Sequence, residues 1–415
     1  MLKKLYIHNF KSFYHSTFEF GKLNCIIAPN NTGKSNLIEA IEYIDNLLFR
    51  QYENAIEFKR NFRYPNDNDT VFQVEFELNN RVLVFNELID YKLLIVFDIL
   101  VGDIYNIDVN ISGSIKSIDV LEEDKVVDYF NYFMLRSYGD ELPSTITNYL
   151  EYSEKLDKKR YSSFDFTYNH MTFNYILSSN KNQKSTIFNL LGLNLNSTNN
   201  IIKPIDFSKL FGRGSIFESH YFHSYMIKEK QIIPKTANLN KYGTNLVAFL
   251  NGLAEETLEN ISISLIGEVE QINGIELSDE VHKKLYFMEK DYKVPLEETS
   301  DGTVHFVSIM SAILGNKTSM ALMIEEPERH MHMKVLSTIL NTMRDNDKQI
   351  FFTTHSTEIL QQLELDEILF MFRDYNGDTQ GQRAKDIPNI KKIMKLFKGD
   401  LVEMIQTGVL GEYDE

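Results

Sequence analysis

The chain reads as an α/β fold: a mixed sheet with helices, an antiparallel β-meander, and a largely helical insertion. Three observations predict it. Leu23–Ile27 is a near-continuous apolar run, followed by a turn-rich loop and a helical pattern. A second apolar run, Met320 to Ile324, ends in adjacent carboxylates. From Thr70 to Ile111, apolar residues recur in short strand-length runs.

Each element follows in order. Leu5 to Ile7 is a short strand and Leu23–Ile27 a strand buried on both faces. Residues 28–34 form a loop. A helix starts at Ser35, with Leu37, Ile38, Ile41, Ile44 and Leu47 or Leu48 on one face. Val71 to Leu78, Val82 to Phe85, Leu93 to Phe97 and Ile107 to Ile111 are the meander. Residues 121–235 carry little readable pattern beyond a helical stretch, Val126 to Leu135, and polar loops at 178–185 and 194–200. Periodicity returns at Thr244 to Leu253. Met320 to Ile324 and Gln349 to Phe352 are strands, and Met333 to Arg344 is a helix. Ile390 to Leu410 reads as helical with loops. The expected division is therefore 1–120, 121–235 and 236–415.

Composition narrows the class. The 415 residues suit two or three domains at roughly 150 residues each. A net charge of −16 argues against a generally basic nucleic-acid-coating protein. A single cysteine, Cys25, excludes an intramolecular disulfide framework and a cysteine-rich zinc site. No secretory signal and no apolar run long enough for a bilayer are visible, so a cytoplasmic protein is expected.

The chemistry begins at residues 28–35, Ala-Pro-Asn-Asn-Thr-Gly-Lys-Ser. This is the phosphate-binding pattern G-x-x-x-x-G-K-[ST] with Ala28 at the first position. Backbone N–H groups of Asn30, Asn31, Thr32 and Gly33 would cradle phosphates, helped by the helix N-terminus and the following Asn36. Lys34 would reach the terminal phosphates, and Ser35 would offer its hydroxyl to Mg²⁺. The strand end Met320 to Glu328 then reads as a Walker B segment. Glu325 would hold the metal, and Glu326 would polarise the attacking water. Thr354-His355-Ser356 closes another buried strand, and His355 could contact the γ-phosphate. ATP with Mg²⁺ is the implied ligand pair.

Together these segments resemble the ABC-type ATPase heads of the SMC and RecF group, and more closely the ATPase domain of the OLD family. The matching stretches are Leu5 to Phe13, the phosphate-binding loop through Ala40, Ser300 to Thr303, Ile324 to His332, and Thr354 to Ser356. The resemblance implies nucleotide contacts from Lys11 and Ser12. It implies that Ser300-Asp-Gly-Thr303 is a signature segment, whose Ser300 and Gly302 meet the γ-phosphate held by a second subunit. It places Arg329 to His332 as a loop crossing the dimer interface. Glu325 stands where Asp is commoner. About 60 residues follow His355, fewer than the roughly 100 expected of the Toprim nuclease domain that OLD nucleases carry. No heptad array and no Cys-x-x-Cys of a zinc hook occur.

The expectation is an ATP-hydrolysing sensor or scaffold of bacterial antiphage defence, as in PARIS or Septu. It would dimerise head to head and control a separately encoded effector, without nuclease activity of its own. The alternative is a RecF- or SMC-like repair ATPase that clamps DNA when ATP-bound. DNA would need a local basic groove. The candidates are Lys155, Lys158, Lys159, Arg160 and Lys181, or Lys391, Lys392, Lys395 and Lys398. Solvated helix faces are the plainer reading of both clusters.

Overall fold

The computed structural model describes residues 1–29, 31–49, 70–84, 87–101, 107–118, 163–169, 173–174, 215–229, 238–269, 271–278, 283–290, 292–316, 319–390 and 392. They fall into two compact units, 1–18 with 51–212, and 19–50 with 213–415. The division differs from one drawn at 120 and 235. The reason is strand order: the Leu23–Ile27 strand is hydrogen-bonded on both sides by strands from the C-terminal part of the chain, so it folds with them.

Along the chain the first elements are β1 (Leu2–His8), β2 (Ser16–Glu19), β3 (Leu23–Ile27) and α1 (Lys34–Phe49). Next come β4 (Thr70–Val84), β5 (Glu87–Val101), β6 (Ile107–Ile118), β7 (Ser163–Asn169) and β8 (Phe173–Asn174). Then follow β9 (Ser215–His220), α2 (Ser224–Glu229), α3 (Leu246–Asn251) and α4 (Glu255–Glu268). A small meander of β10 (Gly274–Leu277), β11 (Leu285–Glu289) and β12 (Tyr292–Pro295) leads to α5 (Asp301–Met310). The chain continues through β13 (Ser319–Glu325), α6 (Met333–Asp345), β14 (Gln349–Thr353) and α7 (Thr357–Leu360). It closes on the hairpin β15 (Ile368–Arg373) and β16 (Thr379–Arg383).

The first unit is one sheet in the order β2-β1-β4-β5-β6-β7-β8. The ladders from β1 through β8 are antiparallel. The meander expected from the alternation is present, with a correction. Val71 to Leu78 and Val82 to Phe85 are not separate strands: Asn79, Asn80 and Arg81 pair with Lys92, Tyr91 and Asp90, so the ladder runs on without a turn. Phe10, Phe13, Phe18, Phe72 and Phe76 are fully buried. Phe13 meets Phe18 edge-on at 5.4 Å, and Phe10 meets Phe72 at 5.5 Å, an arrangement favoured by the ring quadrupoles. Described residues within 121–212 are strands. The helix expected at 126–135 and the tail beyond 392 lie outside the described residues, as do the basic clusters apart from Lys392.

The second unit is built on a sheet ordered β16-β15-β3-β14-β13-β9. Strands β15, β3, β14, β13 and β9 are parallel, and β16 returns antiparallel. Both β3 and β14 are buried at every position, as their largely apolar runs require. Helix α1 lays Leu37, Ile38, Ala40, Ile41 and Ile44 into the core. Its buried Asp45 accepts from Ser215 Oγ at 3.2 Å and from the Phe217 amide at 3.4 Å, which satisfies polar groups of edge strand β9. Helix α5 is buried all round from Thr303 to Met310 and continues as a π-turn, Ser311–Gly315. The meander β10-β11-β12 had no counterpart in the sequence reading. Its strands are only four or five residues long, too short for an alternation to declare itself.

Candidate functional site

The site lies at the carboxyl ends of the parallel strands, where open α/β sheets bind ligands. One strand, β14, separates β3 from β13. The residue after each strand is thereby set side by side: the phosphate-binding loop after β3, Thr354-His355 after β14, and Glu325-Glu326 at the end of β13. A cavity of about 470 Å³ gathers them, lined by Asn31, Thr32, Gly33, Lys34, Ser35, Asn36, Glu325, Glu326, Thr353 and His355 among others. Nine residues singled out in the sequence are thus brought to one place, with Thr353 beside them.

The loop has the backbone its residues predict. Gly33 has φ 116° and Asn31 φ 62°, values in the left-handed half of the map that glycine and asparagine tolerate. Ala28 is not among the positive-φ residues and is buried. A methyl is therefore accommodated where the motif usually has glycine. Lys34 Nζ donates to the Ala28 carbonyl at 2.8 Å. Burial lowers its pKa, and the charge of Glu326 partly restores it. The β15–β16 hairpin, with its turn at Asn376 and Gly377, buttresses the loop. Arg373 Nη2 donates to the Asn31 carbonyl at 2.7 Å, and Thr379 Oγ1 donates to the Thr32 carbonyl. Sequence reasoning missed these two props, because nothing in an isolated Arg or Thr some 340 residues away announces a loop contact. Asn30 lies outside the described residues.

On the acidic side, Glu325 has its pKa raised by burial first, with Lys241 opposing and Glu326 and Glu42 adding to it. Such a carboxylate gains from a nearby cation. A hydroxyl (Ser35) and one carboxylate (Glu325) lining a phosphate site suit Mg²⁺, which takes few protein ligands and completes its shell with phosphate and water. Glu326 has φ 47°, and its amide donates to the Thr353 carbonyl at 3.1 Å. Its Oε2 accepts from Arg329 Nη2 at 2.6 Å. Glu328 holds the neighbouring loop: its Oε1 accepts from Thr354 Oγ1 and from the His355 amide, both at 2.9 Å. The His355 side chain is left exposed in the cavity wall. The support role of Glu328 was also missed by sequence reasoning.

Ser300 caps α5, accepting from the Thr303 amide at 3.2 Å, the arrangement expected of Ser before an apolar helix. Ser300 is exposed and Gly302 half-buried, and neither lines the cavity above. Lys11 and Ser12 belong to the first unit, in the turn where Phe10 and Phe13 exchange backbone hydrogen bonds of 3.1 and 2.8 Å.

Residues 23–361 match the family described as "AAA domain, putative AbiEii toxin, Type IV TA system". The chain belongs to that family. Within it, the strand order and the converging loops give this chain a P-loop nucleotide-binding fold. A Helicobacter pylori protein, an ATP/GTP phosphatase, is 23% identical over 375 residues, 88% of each chain. Among solved structures, the SMC head domain from Thermotoga maritima is similar at 14% identity and TM-score 0.40, covering 92% of this chain and 98% of that one. An SMC head bound to the C-winged helix domain of ScpA is similar at 12% identity and TM-score 0.45, covering 92% and 97%. Among the described residues, no helix is long and apolar enough to cross a membrane.

Proposed function

We propose that the protein binds ATP with Mg²⁺ and hydrolyses it, and that it does so as a head-to-head homodimer controlling a separate effector. The observation that carries the hydrolytic reading is the single cavity shared by Lys34, Ser35, Glu325, Glu326 and His355. Lys34 and the loop amides bind the phosphates. Ser35 and Glu325 would hold Mg²⁺, which neutralises phosphate charge. Glu326 accepts the proton of the attacking water, and His355 contacts the γ-phosphate. Lys11 and Ser12 contribute to nucleotide binding. The name of the Helicobacter pylori relative, ATP/GTP phosphatase, agrees with this chemistry.

The place of Ser300 supports the dimer. Ser300 caps the ten-residue helix α5, whose N-terminus is suited to an anion. It does not line the cavity of its own chain. In a head-to-head dimer each Ser300 and Gly302 would complete the partner's site. The resemblance to OLD-type ATPases favours a role in antiphage defence, with a separate effector. The family's description as a toxin of a TA system is compatible with it. On this reading the chain alone cuts no nucleic acid.

Subunit mixing tests the composite site. Lys34→Ala and Ser300→Arg proteins should each be inactive, and mixing them should restore one intact site per heterodimer. ATP turnover at the wild-type rate by a strict monomer would overturn the dimer. Plasmid cleavage by the purified chain, lost in a variant outside the ATP site, would overturn the scaffold role.

A further inference from the structure

One segment, from Tyr221 to Lys228, reaches Glu326 through Arg329 and touches the signature turn at Asp301. The Tyr221 hydroxyl accepts from Arg329 Nη2 at 3.1 Å, and its ring lies 5.2 Å from the guanidinium. His223 Nδ1 stands 3.4 Å from Arg329 Nη1. Five residues on, Lys228 Nζ pairs with Asp301 Oδ1 at 2.6 Å, in the first turn of the signature helix. Arg329 in turn binds Glu326 Oε2 at 2.6 Å. The turn of chain from Tyr221 to Lys228, in which the Ile227 amide donates to the His223 carbonyl at 3.0 Å, therefore links the Asp301 pair to Arg329 and through it to Glu326. The backbone supplies a parallel route, because Gly302 packs on the carbonyl of His330, next to Arg329.

A carboxylate that takes a proton from water must offer it a lone pair. Here one oxygen of Glu326 is bound by a guanidinium at 2.6 Å, so the lone pairs that face Arg329 are not offered to water. The anchors of that guanidinium, Tyr221 and His223, are not among the cavity-lining residues, so the pair draws the carboxylate toward groups outside the nucleotide site. We propose that Arg329 is a brake on Glu326, set by Tyr221 and His223. It is released when a second subunit's nucleotide engages the signature turn and moves the Tyr221–Lys228 segment. This rests on the assignment of Glu326 given above. The geometry also gives the brake an input: β9, which leads directly into Tyr221, is the first element of the second unit after residues 51–212.

The test is steady-state ATP turnover across a series of protein concentrations, with binding of a fluorescent ATP analogue and melting temperature as controls. Arg329→Gln should raise turnover about two- to fivefold at low protein concentration, the range set by a partly exposed ion pair. The gain should shrink at high concentration, where dimers already release the wild-type pair. Tyr221→Phe, which removes one hydrogen bond, should give a smaller rise. Arg329→Lys, which keeps the charge and loses the fork, should fall between wild type and Arg329→Gln. A folded, ATP-binding Arg329→Gln protein that turns over no faster than wild type would overturn the brake. Should that variant not fold, an unchanged rate in Tyr221→Phe would do so. The double variant Glu326→Gln/Arg329→Gln must be silent. Activity there would refute the role of Glu326 and leave the Arg329 result to be judged separately.

Discussion

Gly302 lies so close to the backbone of His330 that a β-carbon on it would stand 2.5 Å from the His330 carbonyl oxygen. The signature turn and the loop after the acidic strand are thus packed backbone to backbone, and only glycine fits at the contact. Gly302→Ala should push the two apart. We expect a loss of about 1–3 kcal/mol in stability, read from chemical denaturation. ATP turnover should fall further than that loss accounts for, because the displaced loop carries Glu326. A variant with wild-type stability and turnover would show that the contact yields freely.

Glu328 fixes the loop that presents His355, through bonds from Thr354 Oγ1 and the His355 amide. Glu328→Ala should lower kcat on the order of tenfold, since displaced catalytic groups lose rate steeply, with ATP affinity largely retained. Glu328→Gln keeps an acceptor oxygen and should recover most of the rate. Equal losses in both variants would point to the charge of Glu328 and away from its positioning of the loop.

Two buried histidines predict the pH dependence of stability. His220 and His305 both have pKa values lowered from 6.5 to about 4, chiefly by burial. Lys348 and Lys241 lower His220 further, and His330, Arg329 and His223 lower His305. Neither ring finds a hydrogen-bond partner of good geometry. The folded protein therefore binds fewer protons than the unfolded chain between the two values. Stability is complete above about pH 6.5 and is lost as pH falls toward about 4. The loss reaches roughly 3 kcal/mol for each histidine. Melting temperature against pH should show this slope, and His305→Leu should remove about half of it. A profile as steep in His305→Leu as in wild type would contradict the assignment.

How much of this was legible in the sequence depended on range. The loop at 28–36 and the strand ends at Glu325 and His355 are local signals. A buried strand, a turn and a helix are adjacent in sequence, and the motif spacing is set by backbone geometry. Residues 29 and 31–36 of the loop line one cavity with Glu325 and His355. What sequence reasoning could not supply are contacts made by residues far apart in the chain. Arg373 and Thr379 prop the phosphate loop, and Gly302 abuts His330. None of these has a pattern, because each depends on a single side chain or a single missing β-carbon. The division into units was hidden for the same reason. Only the pairing of β3 with β14 and β15 shows that residues 19–50 fold with the C-terminal part of the chain.

The central claim is that Glu326 takes the proton of the attacking water, and the Glu326→Gln protein tests it most directly. ATP binding and ATP turnover should be measured on the same preparation, with Mg²⁺ present. The amide keeps the size of the side chain and loses its basicity. ATP should therefore bind at least as tightly as in wild type, while turnover falls by about two orders of magnitude or more. Turnover at the wild-type rate would contradict the account.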